Sequence, residues 1–201
     1  MIVLSTFLTA FSLSFLGSIP PGTLNLTALQ LGLEKRTKLA VRFAFAASLI
    51  EYPYAWIAVT FEKVITSSGE TERWLQLVAA FAMLLFGILN LRSVNSPKPS
   101  SLSGSGLRRG VIMGILNPLA LPFWIGVTAY LKSLGFVTLK SSVEVHAYLL
   151  GVFLGAFSLL CATAYFAQRM VLYFSNDRVV KRVPGFTLIA LGVYGLIDFL
   201  L

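Results

Sequence analysis

Ser18-Ile-Pro-Pro-Gly-Thr-Leu-Asn25 interrupts an apolar run that carries no charged side chain from Met1 to Leu33. A continuous helix over that run would rise about 50 Å, against roughly 30 Å of bilayer hydrocarbon, so one straight span does not fit. Pro20 and Pro21 remove two helical N–H donors and clash with the preceding turn, and Gly22 relaxes the backbone. Inside lipid, freed backbone groups are tolerated only where protein or a water-filled cavity satisfies them, so the break is a candidate binding site. A second break answers it. Gly114-Ile-Leu-Asn-Pro-Leu-Ala-Leu-Pro122 again sets two prolines and an Asn in an apolar stretch, and an offset of 98 residues carries Pro20 onto Pro118 and Leu33 onto Leu131. Proline alone is common in membrane helices. Matched interruptions in two halves of a chain, here flanked by Asn25 and Asn117, point instead to a transporter's substrate site.

Apolar residues make up 57% of the 201 residues and charged ones 12%, against roughly 25% charged in a soluble domain. Mean hydropathy is +0.83. The composition is that of an all-α integral membrane protein. The net charge of +8 lies in short connectors between apolar spans, which reads as membrane orientation and not as nucleic-acid binding. Cys161 is the only cysteine, so an internal disulfide, a CxxC pair and a cysteine metal cluster are all excluded. No basic residue precedes Lys35 and no A-x-A site follows the first apolar run, which therefore reads as a retained span and not as a signal peptide.

Beyond that run, apolar spans fall at about 39–61, 74–92, 110–131, 146–168 and 184–201, making six. The expected layout is one membrane domain over 1–201, with one repeat over about 1–92, a Ser/Pro/Gly-rich linker over 93–109 and a second repeat over about 110–201. Of the 16 Lys and Arg residues, 12 fall in the first, third and fifth connectors or at the span ends beside them. Those connectors should be cytoplasmic, with both termini outside. Three spans per half is an odd number, so halves of one fold must lie upside down to each other. The fold expected is six transmembrane helices in two inverted three-helix repeats, with helices 1 and 4 broken at the Pro/Gly motifs.

Polar residues at membrane depth make up the candidate site. Pro21, Gly22, Thr23, Asn25 and Thr27 surround the first break, with Gln30 continuing the face of Thr23 and Thr27; Asn117, Pro118 and Trp124 surround the second, with Thr128 sharing the face of Asn117 and Trp124. Ser48, Glu51 and Tyr52 cluster on the second span, Ser158 and Tyr165 on the fifth, and Thr187, Tyr194 and Asp198 on the sixth. Outside the breaks, such residues serve as readily to bond packed helices together. Gly110/Gly114 and Gly151/Gly155 are small-xxx-small pairs and read as packing surfaces. Glu51 differs in kind, because a carboxylate near mid-span costs about 2.5 to 3.5 kcal/mol on insertion scales. No basic residue lies well inside any span, so the expectation is a protonated carboxyl bonded to Tyr or Asn, suited to carrying a proton. A neutral structural hydrogen-bond donor is the plainer alternative. Asp198, near the chain end, is the second proton-coupling candidate, and His146 has no partner motif that would make it a metal ligand.

Pro21-Gly22-Thr23, the basic first connector, and Gly114-Ile-Leu-Asn117-Pro118-Leu119 with Phe123-Trp124 together resemble the lysine exporter (LysE/RhtB) superfamily of bacterial inner-membrane amino-acid exporters. The resemblance extends over the whole chain in span count and layout. Thr23 and Leu119 stand where the family pattern has Pro and Lys, and Ala40, Ala44 and Ala47 replace its Gly-rich stretch. The resemblance implies secondary export of amino acids or related small metabolites across the bacterial inner membrane, driven by the proton gradient. Its partners would be that substrate and the lipid bilayer, with a homodimer possible, and no metal, cofactor or catalytic residue is expected. A non-transporting scaffold or assembly subunit is the main alternative. A membrane thiol relay would need two cysteines, and a hydrolase would need more than one histidine at a span end.

Overall fold

The computed structural model describes residues 2–19, 22–65, 105–117, 120–133 and 135–167, and helical residues at intervals within 77–92 and 169–197. Six helices are delimited: α1 (Ile2–Gly17), α2 (Thr23–Leu33), α3 (Thr37–Ile65), α4 (Gly106–Ile115), α5 (Ala120–Ser133) and α6 (Ser142–Tyr165). There is no strand among the described residues. About half of the expected third and sixth spans lies outside them, although Ala80 and Leu84 pack on Gly192.

Both expected interruptions are present as gaps between helices, α1 from α2 and α4 from α5. Among the described residues only α6 is by itself long and apolar enough to cross a membrane. The breaks explain why the first and fourth spans fail that test, since they leave pieces of 16, 11, 10 and 14 residues. The fourth span starts earlier than 110. Ser105 caps α4 by accepting from the Arg108 N–H, so residues 106–109 of the expected linker are helical.

α2 and α5 end in the same way. The Arg36 N–H bonds to the Leu31 carbonyl and the Lys35 N–H to the Gly32 carbonyl; Phe136 and Gly135 repeat this on Leu131 and Lys132. Each is a Schellman stop with its left-handed residue at Lys35 (φ 56°) or Gly135 (φ 71°). The two stops lie 100 residues apart, so the counterpart of Leu33 is Ser133 and not Leu131; the offset of 98 holds for the helix ends before the breaks, Gly17 and Ile115, while Pro20 and Pro118 lie outside the described residues. A non-glycine residue in the left-handed region costs about 1 to 2 kcal/mol. Lys35→Gly is expected to stabilise the protein by about 1 kcal/mol net of glycine's chain entropy, raising the melting temperature in detergent by roughly 2 to 4 °C. A fall in melting temperature would contradict this.

Packing between the helices depends on small residues. A Cβ on Gly151 would lie 2.5 Å from the Phe7 carbonyl oxygen and 2.9 Å from the Ala10 Cβ; on Gly155 it would lie 2.5 Å from the Phe11 oxygen and 2.7 Å from the Ser14 Cβ. The seam between α4 and α3 has the same form, with Gly110 against the Phe43 oxygen and the Ala46 Cβ, and Gly114 against Ile50. Ala40, Ala44 and Ala47 are fully buried beside that seam, so alanine there serves the close approach of helices. In both seams residue numbers rise together, so α1 runs parallel to α6 and α4 parallel to α3. α2 continues along α6, where Gly32 meets Ala164 and Ala167. These directions gather Lys35, Arg36, Lys38, Arg42, Arg108, Arg109 and Arg169 at one end of the molecule, with Glu34 among them.

Candidate functional site

The first break begins where α1 runs out of donors. In an unbroken helix the Ser18 carbonyl would accept from the Gly22 N–H; here the Asn25 side-chain amide reaches back across the break and donates to it. Gly22 is extended (φ −108°, ψ −176°), and no side chain caps the start of α2. Asn25 is buried, and it bridges α1 and α2 where the ladder cannot.

The second break is handled differently. The Leu116 and Asn117 N–H groups close the last turn of α4 on Ile112 and Gly114, and the Asn117 carbonyl accepts from Ala120. The Ile115 carbonyl accepts instead from the Tyr54 hydroxyl of α3, at 2.7 Å. One turn earlier on α3, Glu51 accepts from the Trp124 indole N–H at 2.6 Å. The expected partner of Glu51 was Tyr or Asn; it is Trp124. Tyr and Asn are drawn elsewhere, Tyr54 to the Ile115 carbonyl at the end of α4 and Asn25 to the Ser18 carbonyl just after α1. An indole N–H only donates, so it can hold the carboxyl in either protonation state. Glu51 is the middle residue of the 29-residue α3.

Trp124 is 2% exposed and sits edge-on to Phe123 and to Tyr148, whose hydroxyl shares a 2.9 Å hydrogen bond with Thr128. The Phe123 ring covers Gly17, where a Cβ would meet it at 2.7 Å, so the end of α1 abuts the start of α5. Thr27 of α2 lies against α4, its hydroxyl 3.6 Å from the Met113 sulfur. The two interrupted spans thus touch on both sides of their breaks.

Of the residues expected at the site, Glu51 and Trp124 are bonded to each other, Asn25 and Thr27 are buried at the meeting of the spans, and Asn117 is half-buried in the second break. Gly22 and Thr23 are exposed at the mouth of the first break. Pro21, Pro118 and Asp198 lie outside the described residues. Tyr165 and Tyr194 point outward, 78% and 62% exposed, and do not join the site. Tyr54, Met113, Phe123 and Tyr148 were not among the expected site residues. Tyr54 could have been found from its place one turn beyond Glu51, and Tyr148 from its hydroxyl on the fifth span; Met113 and Phe123 carry no polar signal that separates them from core.

No curated protein and no solved structure matches the chain. A family model does, over residues 15–198, and its description is LysE type translocator. That match takes in both breaks, Glu51 and Trp124, and a chain built of apolar helices meeting at two interrupted spans belongs to the LysE type translocator family.

Proposed function

We propose that this translocator is a proton-coupled secondary exporter of amino acids or related small metabolites in the bacterial inner membrane, with its substrate between the two breaks. The observation that carries the reading is the meeting of two interrupted spans, Gly17 on Phe123 and Thr27 on Met113, beside a mid-span carboxyl. The substrate carboxylate lies near the uncapped start of α2 and near the start of α5, with Asn25, Thr27 and Asn117 lining its other end.

The helix directions favour the inverted arrangement. α4 runs parallel to α3, while α2 turns tightly into α3 and so runs against it. The two broken spans therefore cross in opposite senses. The matching Schellman stops fit the same relation, and the basic end fits a cytoplasmic face for the first, third and fifth connectors. Because the glycine seams join α1 to α6 and α4 to α3, the bodies that rock for alternating access are the first span with the fifth and the second with the fourth, not the two sequence halves.

The test is efflux. Cells overproducing the protein and fed dipeptides should release at least one amino acid several-fold faster than cells carrying an empty vector, as read by chromatography of the medium. An unchanged medium across amino acids and related metabolites would favour the scaffold reading.

A further inference from the structure

Glu51 and Tyr54 lie one turn apart on α3, and each holds one side of the second break. Glu51 accepts from Trp124, beyond the break on α5 (2.6 Å), and Tyr54 donates to Ile115, before the break at the end of α4 (2.7 Å). Between them stands Pro53, inside the helix. Pro53 has no N–H for the Leu49 carbonyl, so this turn of α3 lacks one rung of its ladder and yields more easily than its neighbours. A change at Glu51 therefore has a softened turn through which to move Tyr54, and Tyr54 has hold of α4.

We propose that Tyr54 is a positioning residue that ties the protonation of Glu51 to the opening of the second break. It rests on Glu51 being the coupling group. A proton arriving on the carboxyl alters the grip on Trp124, the Pro53 turn shifts, and the Tyr54 hydroxyl draws or releases the end of α4. Few other titratable groups compete at this level. α5 presents Trp124, with Tyr130 and Lys132 farther along toward its end; α6 presents Tyr148 behind the indole, bonded to Thr128, with Glu144 and His146 in its first turns; α4 is charged only at Arg108 and Arg109, near its far end; α2 carries no charged side chain. Tyr52 neighbours Glu51 on α3 itself.

The indole supplies a probe that needs no substrate. With Trp56 and Trp74 changed to Phe in the full-length protein, Trp124 is the only tryptophan. Its emission should show a pH step that Glu51→Gln removes. Tyr54→Phe keeps the ring and deletes only the hydroxyl. In that variant the step should move by about half a pH unit or more, roughly a threefold change in proton affinity. Amide exchange over residues 112–117 should rise about tenfold, while α6 exchanges as before. Tyr165→Phe, which removes a hydroxyl from a side chain 78% exposed, should change neither reading.

A Tyr54→Phe titration that superimposes on the parent overturns the proposal, and so does a parent titration with no step that depends on Glu51. A purely structural hydroxyl would raise the exchange without moving the step, which also overturns it. None of these readings involves efflux, so failure of the export reading is seen separately, as a medium that stays unchanged.

Discussion

Glu51→Gln is expected to leave the protein folded and able to exchange substrate, while export stops responding to the proton gradient. The amide oxygen of Gln still accepts from the Trp124 N–H, so the 2.6 Å contact that joins α3 to α5 has a replacement, and the side-chain volume is unchanged. What is lost is the ability to take a proton from one side of the membrane and yield it to the other. Moving one charge across the membrane potential is worth about 2.3 kcal/mol per 100 mV, enough for roughly a 50-fold gradient of a neutral substrate. In proteoliposomes loaded with a labelled amino-acid mixture, the wild type should drive net outward movement under an imposed proton gradient, and the variant should support only downhill exchange. If Glu51→Gln still concentrates substrate with the same dependence on external pH, Glu51 is a structural residue. Asp198 is then the next group to test.

Gly110→Leu and Gly151→Leu are each expected to cost about 3 kcal/mol or more. Even a methyl group on Gly110 would stand 2.5 Å from the Phe43 carbonyl oxygen and 2.9 Å from the Ala47 nitrogen, and one on Gly151 would stand 2.5 Å from the Phe7 oxygen and 3.0 Å from the Phe11 nitrogen. The atoms struck are backbone, which no rotamer change can move aside. A helix must shift instead, and overpacking of this kind costs about 1 to 3 kcal/mol per site, or more where the obstacle is rigid. In lipid there is little hydrophobic drive to hold two helices together, so close packing of small residues carries more of the association. The melting temperature in detergent should fall by roughly 6 to 12 °C, or the variants should fail to run as a single species. Gly22→Ala serves as the control, because nothing lies within 4 Å of its Cβ position and its φ is −108°. Equal stability of Gly110→Leu and the wild type would remove the seam from the fold.

The two experiments separate coupling from architecture. Glu51 should affect energetics of transport with the fold intact, and the glycines should affect the fold before transport is reached. Tyr54 lies between these cases, bonded to the architecture at Ile115 and placed one turn from the carboxyl.

The amino-acid order alone determined that the chain is an assembly of apolar helices, that two of its spans are interrupted, and where. Those features are local. Proline lacks a donor wherever it stands, and 57% apolar residues leave few soluble solutions. Glu51 was legible for the same reason, since a carboxyl at mid-span has a cost regardless of its partner. The partner was not legible. Which donor faces a carboxyl depends on how far apart in sequence the packed helices are, here 73 residues from Glu51 to Trp124 and 61 from Tyr54 to Ile115. The small-xxx-small pairs announced packing without saying against what, and only the tertiary structure set Gly151 on α1 and Gly110 on α3. Polar tyrosines on the fifth and sixth spans read the same as Tyr54 in the sequence. Tyr165 and Tyr194 face outward while Tyr54 reaches the Ile115 carbonyl at the end of α4, because the rotation of each helix about its axis is set by its neighbours and not by its own residues.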